Sequence, residues 1–293
     1  MIKVILSGRL GNIFFQYAVG RQLSIKCGTS LLLDFSENYQ RTDKFARTSE
    51  TALRSLRIRA EIHNPIPLTV IHKLIEKTGI EVIGRRTGEF SQTGFVFNPE
   101  ALQLEDGAVL RGYFQSEKYF FNIRETIRDE LKPKQDLAGS DVLKYQEEME
   151  RQNSVSIHVR RTDYLKYDIH NILGLPYYAR AISYFLERME GIHFYLFSDD
   201  LQWCRRNFLD ERIDFVDLEV SKRNPLPDLI LMQSCKHHII SNSTYAWWGA
   251  WLDGNPEKTV LAPNRWIQTN NEGMNRRILQ DIYPSQWTLI EAV

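Results

Sequence analysis

The chain has 293 residues, 43% of them hydrophobic and 25% charged, proportions that allow a substantial core in one large or two modest domains. Lysine plus arginine equal aspartate plus glutamate at 37 each, which argues against a nucleic-acid binder working through bulk positive charge but leaves room for a local cationic site. Cys27, Cys204 and Cys235 are far apart and form no CxxC pair, so the pattern points to reduced thiols in a cytoplasmic protein rather than to a disulfide framework or a zinc knuckle.

The N-terminus, MIKVILSGRLG, lacks the length and cleavage site of a signal peptide. No stretch reaches the ~20 apolar residues of a membrane span. The expected protein is soluble, with attachment to a membrane surface left open. Residues 2–7 read as a buried strand, 13–27 as a helix stopped by Gly28, and 30–35 as a second strand, a β-turn-α-β opening of Rossmann type. Residues 36–65 show no clean period and read as a loop-rich excursion. A helix is expected at 66–78, a strand at 108–114, and a helix at 117–131 ended by Pro133. The polar stretch 133–154 reads as a linker followed by a charged helix, which places a domain transition near residue 150.

Beyond it, strands are expected at 154–159, 193–197, 213–217, 237–241 and 259–262. Helices are expected at 176–189, 200–209, 226–234 and 244–252. This alternation predicts a mostly parallel sheet covered by helices. The economical architecture is α/β, with two Rossmann-like domains, 1–150 and 151–293, facing across a cleft and room for the C-terminal tail to pack back on the first.

Ligands of open parallel sheets bind outside the carboxyl ends of the strands, so the residues after each strand matter most. The first strand of the second half runs into Arg160, Arg161 and Asp163; guanidinium forks suit phosphoryl oxygens, and the carboxylate suits an arginine or a ligand donor. An ordinary surface ion pair would explain the same residues. The next strand ends at Asp199-Asp200, which fit a helix cap, the N–H edge of a guanine, or, without further spaced acids, a metal. The 237–241 strand leads to Asn242, Ser243 and Thr244, small polar residues at a helix start that suit an anion or plain N-capping. Trp247, Trp248 and Trp251 read mostly as core, with one of them a candidate sugar platform. Arginine, carboxylate and helix terminus on one sheet edge together describe a nucleotide-diphosphate pocket.

In the first half, Gly8-Arg9-Leu10-Gly11-Asn12 has the spacing GxxGN rather than GxGxxG. Asn12 reads as a helix cap or a sugar or phosphate donor. His158, in the strand before Arg160, reads as part of the donor pocket; His237 and His238 read as structural. GxSxG, HExxH and P-loop motifs are absent.

Four segments, GRLGNIFFQYA at 8–18, HVRRTDY at 158–164, FSDD with Trp203, and IISNSTYAWWGAWL at 239–252, resemble the α-1,2-fucosyltransferases of glycosyltransferase family 11. The resemblance implies a GT-B-like fold with 1–150 the acceptor-side and 151–293 the GDP-fucose-binding domain, GDP-fucose as donor, inversion at the anomeric carbon, no metal, and a galactose-terminated acceptor in a bacterial surface polysaccharide. Carried over, Arg160 contacts the pyrophosphate, His158 with Asp199 or Asp200 the guanosine, Ser243 and Thr244 the phosphates, and Asn12 the transferring sugar. Arg9 and Ile13 stand where the family pattern has a glycine and a glutamine. Asp168, close after the arginines, is the candidate base, with a base-free mechanism also open. Competing readings are another GDP- or UDP-sugar transferase, a Rossmann oxidoreductase, and a carbohydrate-binding protein without catalysis.

Overall fold

The computed structural model describes residues 1–37, 44–63, 88–135, 139–170 and 172–292; the helix expected at 66–78 lies outside them. The chain divides into two compact units, Met1–Lys134 and Gln135–Val293. The division falls before the charged helix rather than after it at residue 150. That helix contacts the one at 226–234, and Gln146 Nε2 donates to Ser234 Oγ at 3.2 Å.

The first unit contains β1 (Ile2–Ile5), α1 (Leu10–Cys27), β2 (Leu31–Asp34), α2 (Lys44–Arg54), β3 (Glu61–His63), β4 (Glu89–Ser91), β5 (Val109–Arg111) and α3 (Arg124–Glu130). Its strands are all parallel, in the order β3-β2-β1-β5-β4. The apolar runs of β1 and β2 pair directly, Val4 opposite Leu33. α1 is buried along most of its length, from Ile13 to Val19 and at Leu23. It lies close to the sheet at Gly20, where a β-carbon would sit 2.6 Å from Val4 Cγ2. Gly28, left-handed at φ 61°, ends the helix.

α1 begins at Leu10, not at Ile13. Gly8 makes the preceding turn at φ 84°, so the chain is already helical when it reaches Asn12. The helix expected at 117–131 is instead two short 3-10 turns, Glu117–Tyr119 and Phe121–Ile123, followed by α3. The Ser116 hydroxyl caps the first turn, and Phe120 at φ −141° breaks the helical path. At the end of α3, Glu130 is buried and takes both Arg21 Nε at 3.0 Å and Arg21 Nη2 at 2.9 Å, together with the Tyr17 hydroxyl. Burial and the Glu130 hydrogen bond push the Tyr17 phenol far above its ordinary pKa.

The second unit contains α4 (Ser140–Arg151), β6 (Asn153–Val159), α5 (Leu175–Leu186), β7 (Ile192–Ser198), α6 (Leu201–Asn207), β8 (Ile213–Phe215), α7 (Leu226–Ser234), β9 (His237–Ile239), α8 (Thr244–Leu252), β10 (Val260–Pro263), α9 (Glu272–Ile282) and β11 (Thr288–Ile290). All its pairings are parallel, in the order β11-β10-β9-β6-β7-β8. Counted from β6, this is the 6-5-4-1-2-3 order of a doubly wound dinucleotide-binding sheet. Val155, Ile157 and Val159 of β6 and Phe194 and Leu196 of β7 form the core with Tyr177, Ala181 and Phe185 of α5. The C-terminal residues add edge strand β11 to this sheet, Ala262 opposite Leu289.

Trp247, Trp248 and Trp251 are all buried, at 0%, 0% and 3% exposure. Trp247 Nε1 donates to Ile282 O at 2.8 Å. All three are core, so none is the sugar platform allowed for in the sequence. His238 joins Ser156 Oγ at 2.8 Å and Asp253 Oδ2 at 3.0 Å, tying β6 and β9 to the end of α8.

Candidate functional site

The reversal in strand order of the second sheet falls between β6 and β9, which pair side by side, Ile157 opposite Ile239. A doubly wound sheet opens its crevice at such a point, beyond the carboxyl ends of the two strands. The chain places Arg160 immediately after one strand and residues 240–243 immediately after the other.

Several contacts join the two ends. His158 Nδ1 shares a hydrogen bond with Ser241 Oγ at 2.8 Å, and its ring lies 5.9 Å from that of Tyr245. The Tyr164 hydroxyl crosses to donate to Asn242 O at 3.1 Å. The Arg160 guanidinium lies 5.6 Å from the Tyr164 ring centre. Arg160, His158 and the start of α8 thus belong to one cluster.

The start of α8 is an open helix terminus. Ser243 holds the cap position but makes no side-chain cap hydrogen bond, contrary to the capping expected of this segment. The first bond within the helix is Trp247 N–H to Ser243 O at 2.9 Å, which leaves the N–H groups of residues 244–246 without an acceptor inside the helix. Such a terminus carries a partial positive charge suited to an anion. The Asn242 amide nitrogen is turned away from that terminus, into the fold. The residue is 3% exposed, and its amide donates at 3.1 Å to both His170 O and Trp266 O. The Asn242 amide N–H groups thus serve as a strut.

The aspartates also differ from their expected roles. Arg160 pairs with Asp163 at 2.5 Å and with Asp199 at 3.1 Å. Asp199 further accepts from Arg161 N at 2.9 Å and from the backbone and hydroxyl of Thr162. Burial alone would raise the Asp199 carboxyl, but Arg160 and these hydrogen bonds outweigh it and hold it below the usual range. Asp200 caps α6 by accepting from Trp203 N at 3.1 Å and pairs with Arg161 Nε at 3.3 Å. Arg161 lies flat on Trp203, 3.6 Å from the ring centre. The Asp199-Asp200 pair therefore orients two guanidinium groups. Metal-binding groups of three or more His, Cys, Asp or Glu do not occur among the described residues.

His158 is 6% exposed. Burial pushes its imidazole down to about 4, the Arg160 charge adds to the effect, and Asp199 opposes it; the ring is neutral at neutral pH. Asp168, by contrast, lies on an exposed loop. Asn12 sits in the first turn of α1 rather than at its cap. Its Oδ1 accepts from Gln115 Nε2 at 2.9 Å, and a β-carbon at Gly8 would come within 2.5 Å of its Nδ2. In the same unit, buried Gln16 spans the β1 and β5 ends, donating to Gly112 O at 2.9 Å and accepting from Ser7 N at 3.1 Å.

Two features were not legible in the sequence. Tyr164 supplies the link between the strand ends. Asp228, near the start of α7, is held by the Ser221 hydroxyl; burial raises its carboxyl to about 6, with the Ser221 bond opposing and Asp217 adding. An acid in the first turn of a helix is an ordinary preference, so spacing alone gives no sign that this one is desolvated.

The model of glycosyl transferase family 11 matches residues 107–291. The chain belongs to glycosyltransferase family 11. It is 30% identical to an alpha-1,2-colitosyltransferase of Escherichia coli over 98% of this chain and 97% of that one. Identity is also 30% to the O-antigen biosynthesis glycosyltransferase WbnK of Escherichia coli, over 91% and 95%. A galactoside 2-alpha-L-fucosyltransferase of Caenorhabditis elegans is 29% identical over 60% of this chain and 50% of its own. In fold, a family 9 glycosyl transferase of Veillonella parvula superposes with a TM-score of 0.51 at 9% identity, covering 100% of this chain and 87% of that one. This family 11 chain is thus a glycosyltransferase of the fucosyltransferase-related group, with two parallel sheets in a GT-B-like α/β fold. Among its described residues, no helix is long and apolar enough to cross a membrane.

Proposed function

We propose that this family 11 enzyme moves L-fucose from GDP-fucose to the 2-hydroxyl of a galactoside, forming an α-1,2 linkage with inversion. The observation that carries the reading is the Tyr164–Asn242 hydrogen bond, which sets the Arg160 loop beside the open terminus of α8. Two cationic elements of different kinds then converge on one diphosphate-sized region. Direct displacement leaves growing negative charge on the departing diphosphate. The remaining N–H groups of Arg160 and the N–H groups of residues 244–246 stabilise that charge, and removal of one such donor typically costs about 100- to 1000-fold in rate.

The local charge is not simply positive. Arg160 and Arg161 stand against Asp163, Asp199 and Asp200. The carboxylates fix the guanidinium planes in advance, so no reorganisation is needed as the leaving group departs. The helix terminus then carries much of the anion stabilisation. Asp168 is the proposed base that takes the acceptor hydroxyl proton, and Asn12 is proposed to face the sugar. The reading places the enzyme in the cytoplasm, acting on a galactose-terminated precursor of a surface polysaccharide.

A second donor has specific support. The Escherichia coli relative that matches nearly the whole chain is named for colitosyl transfer, so a colitosyl group is the alternative to fucosyl. The test is incubation with GDP-fucose, GDP-colitose and UDP-galactose against a small panel of galactosides, followed by linkage analysis. Fucosylation at the 2-hydroxyl is expected. Transfer from UDP-galactose but not GDP-fucose would refute the donor assignment, and preference for GDP-colitose would replace fucose with its competitor.

A further inference from the structure

The loop that follows the arginines carries three exposed apolar side chains that grip on a donor does not require. Leu165, Tyr167 and Ile169 are 46%, 60% and 46% exposed. The backbone beneath them is nonetheless fixed. Leu165 N donates to Arg161 O at 2.9 Å, Lys166 N to Asp163 O at 3.1 Å, Tyr167 N to Tyr164 O at 3.2 Å and His170 N to Tyr167 O at 2.9 Å. The far side is held by Gln268 N on Ile169 O at 2.8 Å, and the rings of Tyr164 and His170 stack at 4.9 Å.

We propose that Tyr167, flanked by Leu165 and Ile169, is the surface on which the acceptor sugar rests. The inference depends on the donor reading above and deepens it. An aromatic ring left in water on an anchored loop keeps apolar surface hydrated that a ligand with a carbon-bound hydrogen face would cover. A hexopyranoside presents such a face, with hydroxyls around its rim. Lys166 and Asp168 supply polar groups between the apolar ones, matching that mixed character. Their charges cancel, so the loop has no electrostatic pull toward an anionic membrane. The loop also grows directly out of the Arg160–Asp163 segment, so a sugar resting on it stands beside the diphosphate site.

The test compares wild type, Tyr167→Ala and Tyr167→Phe. Binding of methyl β-galactoside to the GDP-loaded enzyme is measured by ligand-observed NMR, GDP affinity by titration, and acceptor and donor KM separately. Tyr167→Ala is expected to raise the acceptor KM and weaken galactoside binding about tenfold, with GDP affinity unchanged within about twofold. Tyr167→Phe is expected to stay near wild type. Unchanged galactoside binding in Tyr167→Ala, or equal losses of galactoside and GDP, would overturn the proposal. So would light scattering that shows a dimer dispersed by Tyr167→Ala. If wild type binds methyl β-galactoside through Tyr167 yet transfers nothing from GDP-fucose, the donor reading fails and the acceptor surface stands.

Discussion

Replacing Asn242 with alanine separates a ligand contact from a structural strut. The wild-type amide donates two 3.1 Å hydrogen bonds to the carbonyls of His170 and Trp266, and the residue is 3% exposed. Alanine leaves both carbonyls without that donor, and the one at Trp266 is buried. His170 O keeps the Ile172 N–H at 3.0 Å, so the Trp266 carbonyl is the one left short; a buried, unsatisfied polar group costs about 1–3 kcal/mol, and the variant should lose roughly that much stability. Asn242→Asp should cost more, because it sets a carboxylate against two carbonyl oxygens in the same enclosure. Urea denaturation gives the difference from the midpoint at unchanged slope. GDP affinity, measured well below the transition, should fall less than stability suggests, since the α8 terminus itself is retained. A stable Asn242→Ala protein that has lost GDP binding would refute this reasoning and return Asn242 to the ligand.

Arg160→Ala should lower kcat by about 100- to 1000-fold, and Arg160→Lys should not restore it, because one ammonium cannot replace a planar fork spanning Asp163 and Asp199; steady-state kinetics on folded protein decides. His158 is held at about 4 when folded against about 6.5 unfolded, so the unfolded chain binds the extra proton between those values and stability falls as pH drops through that window. Its share is about 2 kcal/mol lost by pH 5, and a His158→Gln variant should show a flatter stability profile in urea titrations from pH 7 to 5. Glu130→Gln should destabilise the first unit by about 3 kcal/mol, since Arg21 is then left as a charge without its buried partner; a thermal midpoint within one or two degrees of wild type would contradict this.

Much of the second sheet was legible in the sequence because its strands are buried on both faces and read as apolar runs. β6, β7, β9 and β10 fall close to their expected places, and the strand ends supplied the site. β3 and β4 were missed for a physical reason. Each has three residues at a sheet edge, with exposed glutamates in Glu61–His63 and Glu89–Ser91, so neither period nor apolarity marks them. β11 is equally short. Within the site, residue types pointed to the region but not to the roles. Two aspartates after a strand fit a purine, a cap or an arginine equally well, and only the arrangement of Arg160, Arg161 and Thr162 around Asp199 distinguishes them. Asn242 looked like a ligand because hydroxyl residues follow it; its use depends on carbonyls at His170 and Trp266, whose approach no local pattern records. The tryptophans looked ambiguous because they cover more than one helix face, and burial on every side resolves them as core.

The phenol of Tyr164 has a mechanical meaning. It welds the basic loop to the segment that opens α8, and Asn242 rivets the same segment to the chain at His170 and Trp266. Elements joined in this way move as one piece rather than independently. Loss of the Tyr164 phenol should therefore loosen the Arg160 loop and the opening of α8 together, while exchanges on the outer face of the 165–169 loop leave that link intact.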